Sequence, residues 1–166
     1  ICLVGSEMCI RDSLVGEKGD ATWQGIHDVL VPANQAWAGT APVLLLSLAH
    51  QDFVRTGKPN RHAQYDVGQA VAGLALQATA LGLFVHQMAG FDADAARAAF
   101  SIPPAHTPMA AIAVGYGADP ETLPPDLAER EVAPRDRVPV ATFAFAGSWG
   151  QPAAITGAPG SAGKPA

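Results

Sequence analysis

The stretch from Asp66 to Gly90, DVGQAVAGLALQATALGLFVHQMAG, constrains the fold more than any other. Ala and Leu dominate it as far as Leu81, which favours a helix. Asp66 offers a carboxylate to the first free N–H groups of that helix. Val67, Ala70, Leu74, Ala78 and Leu81 recur at three- and four-residue intervals. Ala75, Leu76 and Ala80 widen the apolar sector until little polar face remains. The pattern predicts a central helix over 66–81, covered on nearly every side. Gly82 can take positive φ and end it, and LFVH then runs into a glycine turn at Gly90. Burying each large side chain here contributes about 1.5–3 kcal/mol, a sizeable share of a marginal stability.

A chain of 166 residues is long enough for one domain with a real core. With 49% apolar and only 15% charged residues it is globular. A net charge of −5 argues against a nucleic-acid groove or an anionic membrane surface, which need clustered Lys and Arg. Gln77 and Thr79 interrupt the longest apolar run, and Asp66 and His86 flank it, so no membrane span is expected. The cytoplasm is the default compartment.

Residues 1–13, ICLVGSEMCIRDS, stand apart from the rest. They open on Ile and show neither helical nor strand periodicity. They also hold both cysteines, Cys2 and Cys9, with no metal-ligand partners near. A signal peptide would need a basic start and a longer apolar centre. The stretch reads as translated sequencing adaptor, a non-native lead in which the thiols carry no information. The genuine protein is then expected to begin upstream of Leu14.

From Asp20 the pattern is regular. TWQGIHDVL reads as a short helix, and Pro32 suits the first turn of a second one, PANQAWAG, ending at Gly39. VLLLSLA after Pro42 is an apolar run of strand length, expected to be buried on both faces. Gly57-Lys58-Pro59-Asn60 marks a loop. Asp92 is placed to cap the helix DADAARAAF, closed by Pro103-Pro104, and MAAIAVGYG follows as a second strand. Residues 117–134 read as a surface connection with a helical turn near Leu127. VPVATFAFAG is expected to be a third strand, with Pro139 favouring an edge or an early strand position. The tail from residue 153 to 166 is rich in Gly, Ala and Pro and reads as disordered. Interleaved helices and few strands predict an α+β fold with a mixed sheet flanked by helices.

Motifs that would carry chemistry are absent: no G-x-G-x-x-G, Walker lysine loop, H-E-x-x-H or G-x-S-x-G occurs. The five histidines (27, 50, 62, 86 and 106) have no ligand spacing, and each reads as a surface or helix-end residue. His50 and His86 fall at strand ends, where a cleft is possible, but no base or nucleophile is nominated. Asp52 and Asp66 read as caps or solvated carboxylates.

Four segments in order carry a resemblance: PANQAWAGTAPVLLL, YDVGQAVAGLALQATALGLFVHQMAGFD, the pair FSIP…AIAVGYG, and E-x-A-P-R-D-R-V-P. Together, over roughly residues 22 to 152, they resemble the nitroreductase family of flavin mononucleotide (FMN) oxidoreductases. The resemblance implies residues 14–152 as a partial nitroreductase-like domain. It also implies an interlocked homodimer with FMN at each subunit interface. The central helix would belong to that interface, so part of its cover would come from a partner subunit.

The resemblance also implies site residues. Asn34 matches an Asn whose amide, both donor and acceptor, reaches the flavin ring. Met88, Ala89 and Gly90 match a turn whose backbone N–H groups approach the flavin near N5, with Gly allowing close approach. Arg135 and Arg137, two apart in an extended segment with Asp136 facing away, match positions that hold the FMN phosphate. Taken without the resemblance, these residues also read as a helix-end amide, a loop glycine and a solvated Arg pair. Trp37 and Phe91 read as packing residues.

The family's N-terminal phosphate-binding run is absent, replaced by the adaptor-like lead, which is expected to weaken FMN binding. The implied mechanism is ping-pong: NADH or NADPH reduces the flavin, which then reduces a small-molecule acceptor such as a nitroaromatic or quinone. No catalytic side chain is nominated. A specialised flavin reaction (dehalogenation or flavin cleavage) and a non-catalytic flavin-binding or dimerisation module are the alternatives.

Overall fold

The computed structural model describes residues 12–134 and 136–154. The chain forms two compact units, Ile1–Asp119 and Pro120–Ala166.

The first unit carries a four-stranded sheet. Its elements in order are β1 (Asp12–Glu17), α1 (Ala21–Asp28), α2 (Pro32–Ala38), β2 (Val43–His50), α3 (Ala63–Ala80), β3 (Phe84–Met88), α4 (Ala93–Phe100) and β4 (His106–Gly115). The strand order is β1-β2-β4-β3, and each neighbouring pair is antiparallel. The α+β class holds, whereas the sheet is antiparallel and not mixed. β2 and β3 do run the same way across α3, but β4 is inserted between them and pairs with both.

Alternation along β2 divides the core. Leu44, Leu46 and Leu48 face α1, α2 and α4, where Trp23, Ile26, Ala38 and Ala96 are buried. Leu45 and Ala49 face α3, with Val67, Val71 and Ile112. β2 is thus covered on both faces, as its apolar run predicted. The ladder slips between Ser47 and Leu48, where Pro108, which has no N–H to give, enters β4. Ser47, buried in this bulge, donates its hydroxyl to the Ala110 carbonyl and accepts the Ala110 N–H, both at 3.1 Å. A buried polar group is satisfied where the ladder breaks.

Capping sets the short helices. Asp20 accepts from the N–H of Trp23 at 2.6 Å and of Glu17 at 2.8 Å. Those bonds, Trp23's first, hold its carboxyl below the usual carboxylate range. Asp92 caps α4 through Asp94 and Ala95, as expected. Pro32 opens α2.

The central helix departs from expectation at its start and on its surface. α3 begins at Ala63 after His62, and Asp66 lies inside its first turn without capping it. Asn60 explains the earlier start, because its carbonyl takes the Ala63 N–H and its amide lies 3.4 Å from the Asp66 carboxylate. The end is as predicted. Gly82 has φ 74, its N–H bonds the Thr79 carbonyl and the Leu83 N–H that of Ala78, a Schellman closure. The chain's own sheet covers only the stripe Ala63, Val67, Val71 and Ala78. Leu76 is 75% exposed and Leu81 64%. The all-round apolar pattern therefore does not mean all-round burial within one chain. No described helix is long and apolar enough to cross a membrane.

Two strands were not anticipated. β1 begins two residues inside the span read as lead, with Asp12 opposite Leu48 and Ser13 opposite Ser47; residues 1–11 lie outside the described residues. β3 occupies the FVHQM run beyond Gly82. The strand expected at VPVATFAFAG does not form. The second unit holds α5 (Pro125–Val132), where a turn near Leu127 was expected, then a 3-10 turn at Val140–Thr142 and an isolated bridge between Phe145 and Pro152. An alternating run becomes a strand only where a sheet edge accepts its backbone, and the described part of this unit has no sheet. The tail beyond residue 154 lies outside the described residues.

Candidate functional site

The turn at Met88–Phe91 is where the elements named by the sequence meet. β3 ends at Met88, whose side chain is buried in the core, so only its backbone faces the turn. The Phe91 N–H bonds the Ala89 carbonyl at 3.0 Å, tightening the bend. Leu30 and Phe91 form a bridge, and the Asp92 N–H bonds the Val29 carbonyl at 2.8 Å.

Pro32 lets the chain enter α2 with Val31 still extended. Val31 donates its N–H to the Gly90 carbonyl at 3.1 Å, and Asn34 Nδ2 donates to the same oxygen at 2.9 Å. One carbonyl is thus held by two donors from the start of α2. The fit is tight: a Cβ on Gly90 would stand 2.7 Å from Asn34 Nδ2 and 2.9 Å from Val31 Cγ2. The glycine is required by space rather than by a positive φ. Ala89 is exposed, and neither its N–H nor that of Gly90 donates to a described residue.

The clamp leaves two N–H groups without a partner among the described residues, in a bend of small residues, and the half-buried Asn34 keeps its Oδ1 as an acceptor. Such a constellation suits a flat polar heterocycle that needs close main-chain approach. Among the described residues no cluster of His, Cys, Asp and Glu could hold a metal ion.

Asn34, Met88, Ala89 and Gly90, proposed from separate segments, are therefore brought together. Asn34 acts on the turn itself, where the resemblance gave it a role on the ring. Arg137 is exposed in the second unit, and Arg135 lies outside the described residues.

One neighbour, read at a strand end near a possible cleft, was given no role. His86 lies two residues before Met88 on β3, and its ring meets that of Trp37 edge-on, centroids 4.7 Å apart at 66°. Trp37 follows Asn34 by three positions on α2 and packs partly against the core, as expected of it. The signal for His86 was the alternation of Phe84, His86 and Met88, legible once LFVH is read as a strand. A separate apolar concavity of about 330 Å³, lined by Leu14, Leu48, Phe100, Ile102 and His106 among others, shares none of these residues.

The family model for the nitroreductase family matches residues 13–116. An uncharacterized 15.4 kDa protein of Mycolicibacterium smegmatis is 34% identical over 146 residues, covering 84% of this chain and 97% of that one. A crystal structure of an oxidoreductase containing FMN is 34% identical with a TM-score of 0.77, covering 84% of this chain and 72% of that chain. A nitroreductase family protein from Clostridium difficile shares the fold at 20% identity, TM-score 0.58, over 82% of this chain and 73% of its own. The family match spans both elements of the Asn34–Gly90 clamp and the whole sheet except its first residue, and on it the chain belongs to the nitroreductase family of oxidoreductases.

Proposed function

We propose that this chain is an FMN-dependent oxidoreductase of the cytoplasm. In this reading it moves electrons by ping-pong from NADH or NADPH to a nitroaromatic, quinone or similar small acceptor, as a homodimer. The observation that carries the reading is the clamp on Gly90, which holds two unengaged N–H groups in a bend that a planar ring can approach. Similarity to an FMN-containing oxidoreductase supports the choice of flavin.

Bound FMN would supply the two-electron carrier, taking hydride from the nicotinamide and giving it up to the acceptor. The chain's own contribution is positional. The Ala89 and Gly90 N–H groups would hold the flavin ring, Asn34 keeps the bend from opening, and the buried Met88 fixes the strand that delivers it. Arg135 and Arg137 are assigned to the phosphate, as a pair of guanidiniums suits a dianion. No side chain has to take or give a proton, in keeping with the lack of an acid–base constellation.

Purified protein should carry a yellow chromophore that NADH or NADPH bleaches under anaerobic conditions and that a nitroaromatic or quinone restores. A bound flavin that neither nicotinamide reduces would make the chain a flavin binder and end the oxidoreductase reading.

The dimer is supported by the apolar surface that one chain leaves uncovered. Leu76, Leu81 and Phe84 are exposed around the end of α3 and the start of β3, beside a groove of about 250 Å³ lined by Ala75, Thr79 and Val85 among others. A monomer seldom exposes such a patch without a partner. Leu76→Glu with Leu81→Glu should weaken self-association at least a hundredfold, since buried like charges cost several kcal/mol. Light scattering after size exclusion should then give the monomer mass. A wild-type chain that is itself monomeric at micromolar concentration would count against the assignment.

A further inference from the structure

We propose that His86 is an additional flavin-positioning residue, hydrogen-bonding the pyrimidine edge of the ring. The proposal rests on the flavin reading above. It starts from a contrast among the five histidines. His27 Nε2 lies 3.4 Å from the Gln35 carbonyl, and His50 Nδ1 meets the Asp52 carbonyl. His62 Nε2 accepts from Arg61, and His106 Nε2 lies 2.8 Å from the Asp12 carboxylate. His86 alone has both ring nitrogens without a hydrogen-bond partner among the described residues, yet its ring is not loose. Trp37 holds it edge-on at 4.7 Å.

Its location gives that free pair of nitrogens a use. His86 and Met88 share one face of β3, and Trp37 and Asn34 share one face of α2. The imidazole therefore stands on the side of the sheet from which Asn34 clamps Gly90. No Lys, Arg, Asp or Glu occurs in α2, β3 or β4, and His106, the other titratable group of these elements, sits at the far end of β4 on Asp12. Recognition of a polar ring here falls to neutral donors and acceptors. A neutral imidazole offers one N–H and one lone pair. The pyrimidine edge of an isoalloxazine alternates carbonyl acceptors with an N–H donor, so it can pair with whichever of the two His86 turns toward it. The competing description is a solvated edge-strand histidine that merely packs on Trp37.

The test is titration of FMN into the 166-residue chain, followed by flavin fluorescence and visible absorption, for wild type, His86→Gln and His86→Leu. His86→Leu keeps the bulk against Trp37 and removes the polar atoms. It should weaken binding about tenfold, the loss expected of one hydrogen bond, and move the bound flavin spectrum toward that of free FMN. His86→Gln, with a donor and an acceptor, should stay within about threefold of wild type and keep the bound spectrum. His86→Leu binding as tightly as wild type with an unchanged spectrum would overturn the assignment and leave the flavin reading standing. Equal losses in both variants, with unchanged circular dichroism, would overturn it too, because shape and not hydrogen bonding would then matter. A wild-type chain that does not bind FMN at all would remove the flavin reading and this inference together.

Discussion

Gly90→Ala should weaken FMN binding by tenfold or more and lower the thermal midpoint by several degrees. The new methyl would need the space of Asn34 Nδ2, 2.7 Å away, and of Val31 Cγ2, 2.9 Å away. Asn34 cannot swing aside without breaking its bond to the Gly90 carbonyl. Either the bond is lost, at about 1 kcal/mol, or the turn shifts as an overpacked site does, at about 1–3 kcal/mol. Both outcomes move the Ala89 and Gly90 N–H groups from the positions that define the site. Combining Gly90→Ala with Asn34→Ala separates the two costs. Removing the obstructing amide should restore much of the thermal stability without restoring FMN affinity, a coupling of the kind seen between residues in contact. Melting curves and flavin fluorescence titration on the three variants check this. Unchanged affinity in Gly90→Ala would mean that the ligand does not approach through this bend.

Gly16→Ala should be the most destabilising small substitution in the chain, by about 3 kcal/mol or more. Gly16 lies in β1 directly under the first turn of α1, and a Cβ there would stand 2.2 Å from Trp23 N and 2.4 Å from its Cα. These are backbone atoms, so no rotamer change relieves the clash. The helix would have to lift, taking buried Trp23 and Ile26 with it and pulling Trp23 Nε1 from the Ala41 carbonyl, 3.0 Å away. Gly19→Ala is the comparison. Gly19 has φ 104 with no neighbour in reach, so it should show only backbone strain of about 1 kcal/mol. Urea midpoints rank the two, and a Gly16→Ala chain as stable as Gly19→Ala would mean that α1 does not rest on β1.

The candidate site was partly legible because its residues carry local signatures. Pro32 announced a helix start that leaves Val31 extended, and Asn34 follows within the first turn. Gly90, between Met88 and Asp92, stood out as the one residue without a side chain where strand gives way to helix. Their meeting, at 56 positions' separation, had no local signal, and it entered through family resemblance. His86 was read at a strand end where a cleft is possible, but nothing within a few residues of it names Trp37 as its neighbour, 49 positions away. Arg137 lies in the second unit and Arg135 outside the described residues, which leaves their phosphate role to experiment.

Propensity and periodicity alone determined the helices, their caps at Asp92 and Gly82, and the apolar runs of β2 and β4, because these depend on neighbours within a few residues. Only the tertiary structure decided that β4 enters between β2 and β3, that Gly16 lies beneath α1, and that Asn34 grips Gly90. Such contacts join residues whose separation along the chain erases any local trace. The surface of α3 shows the same division: its sequence specifies an apolar cylinder, but which parts of it are covered depends on what packs there, and one chain supplies cover for a single stripe.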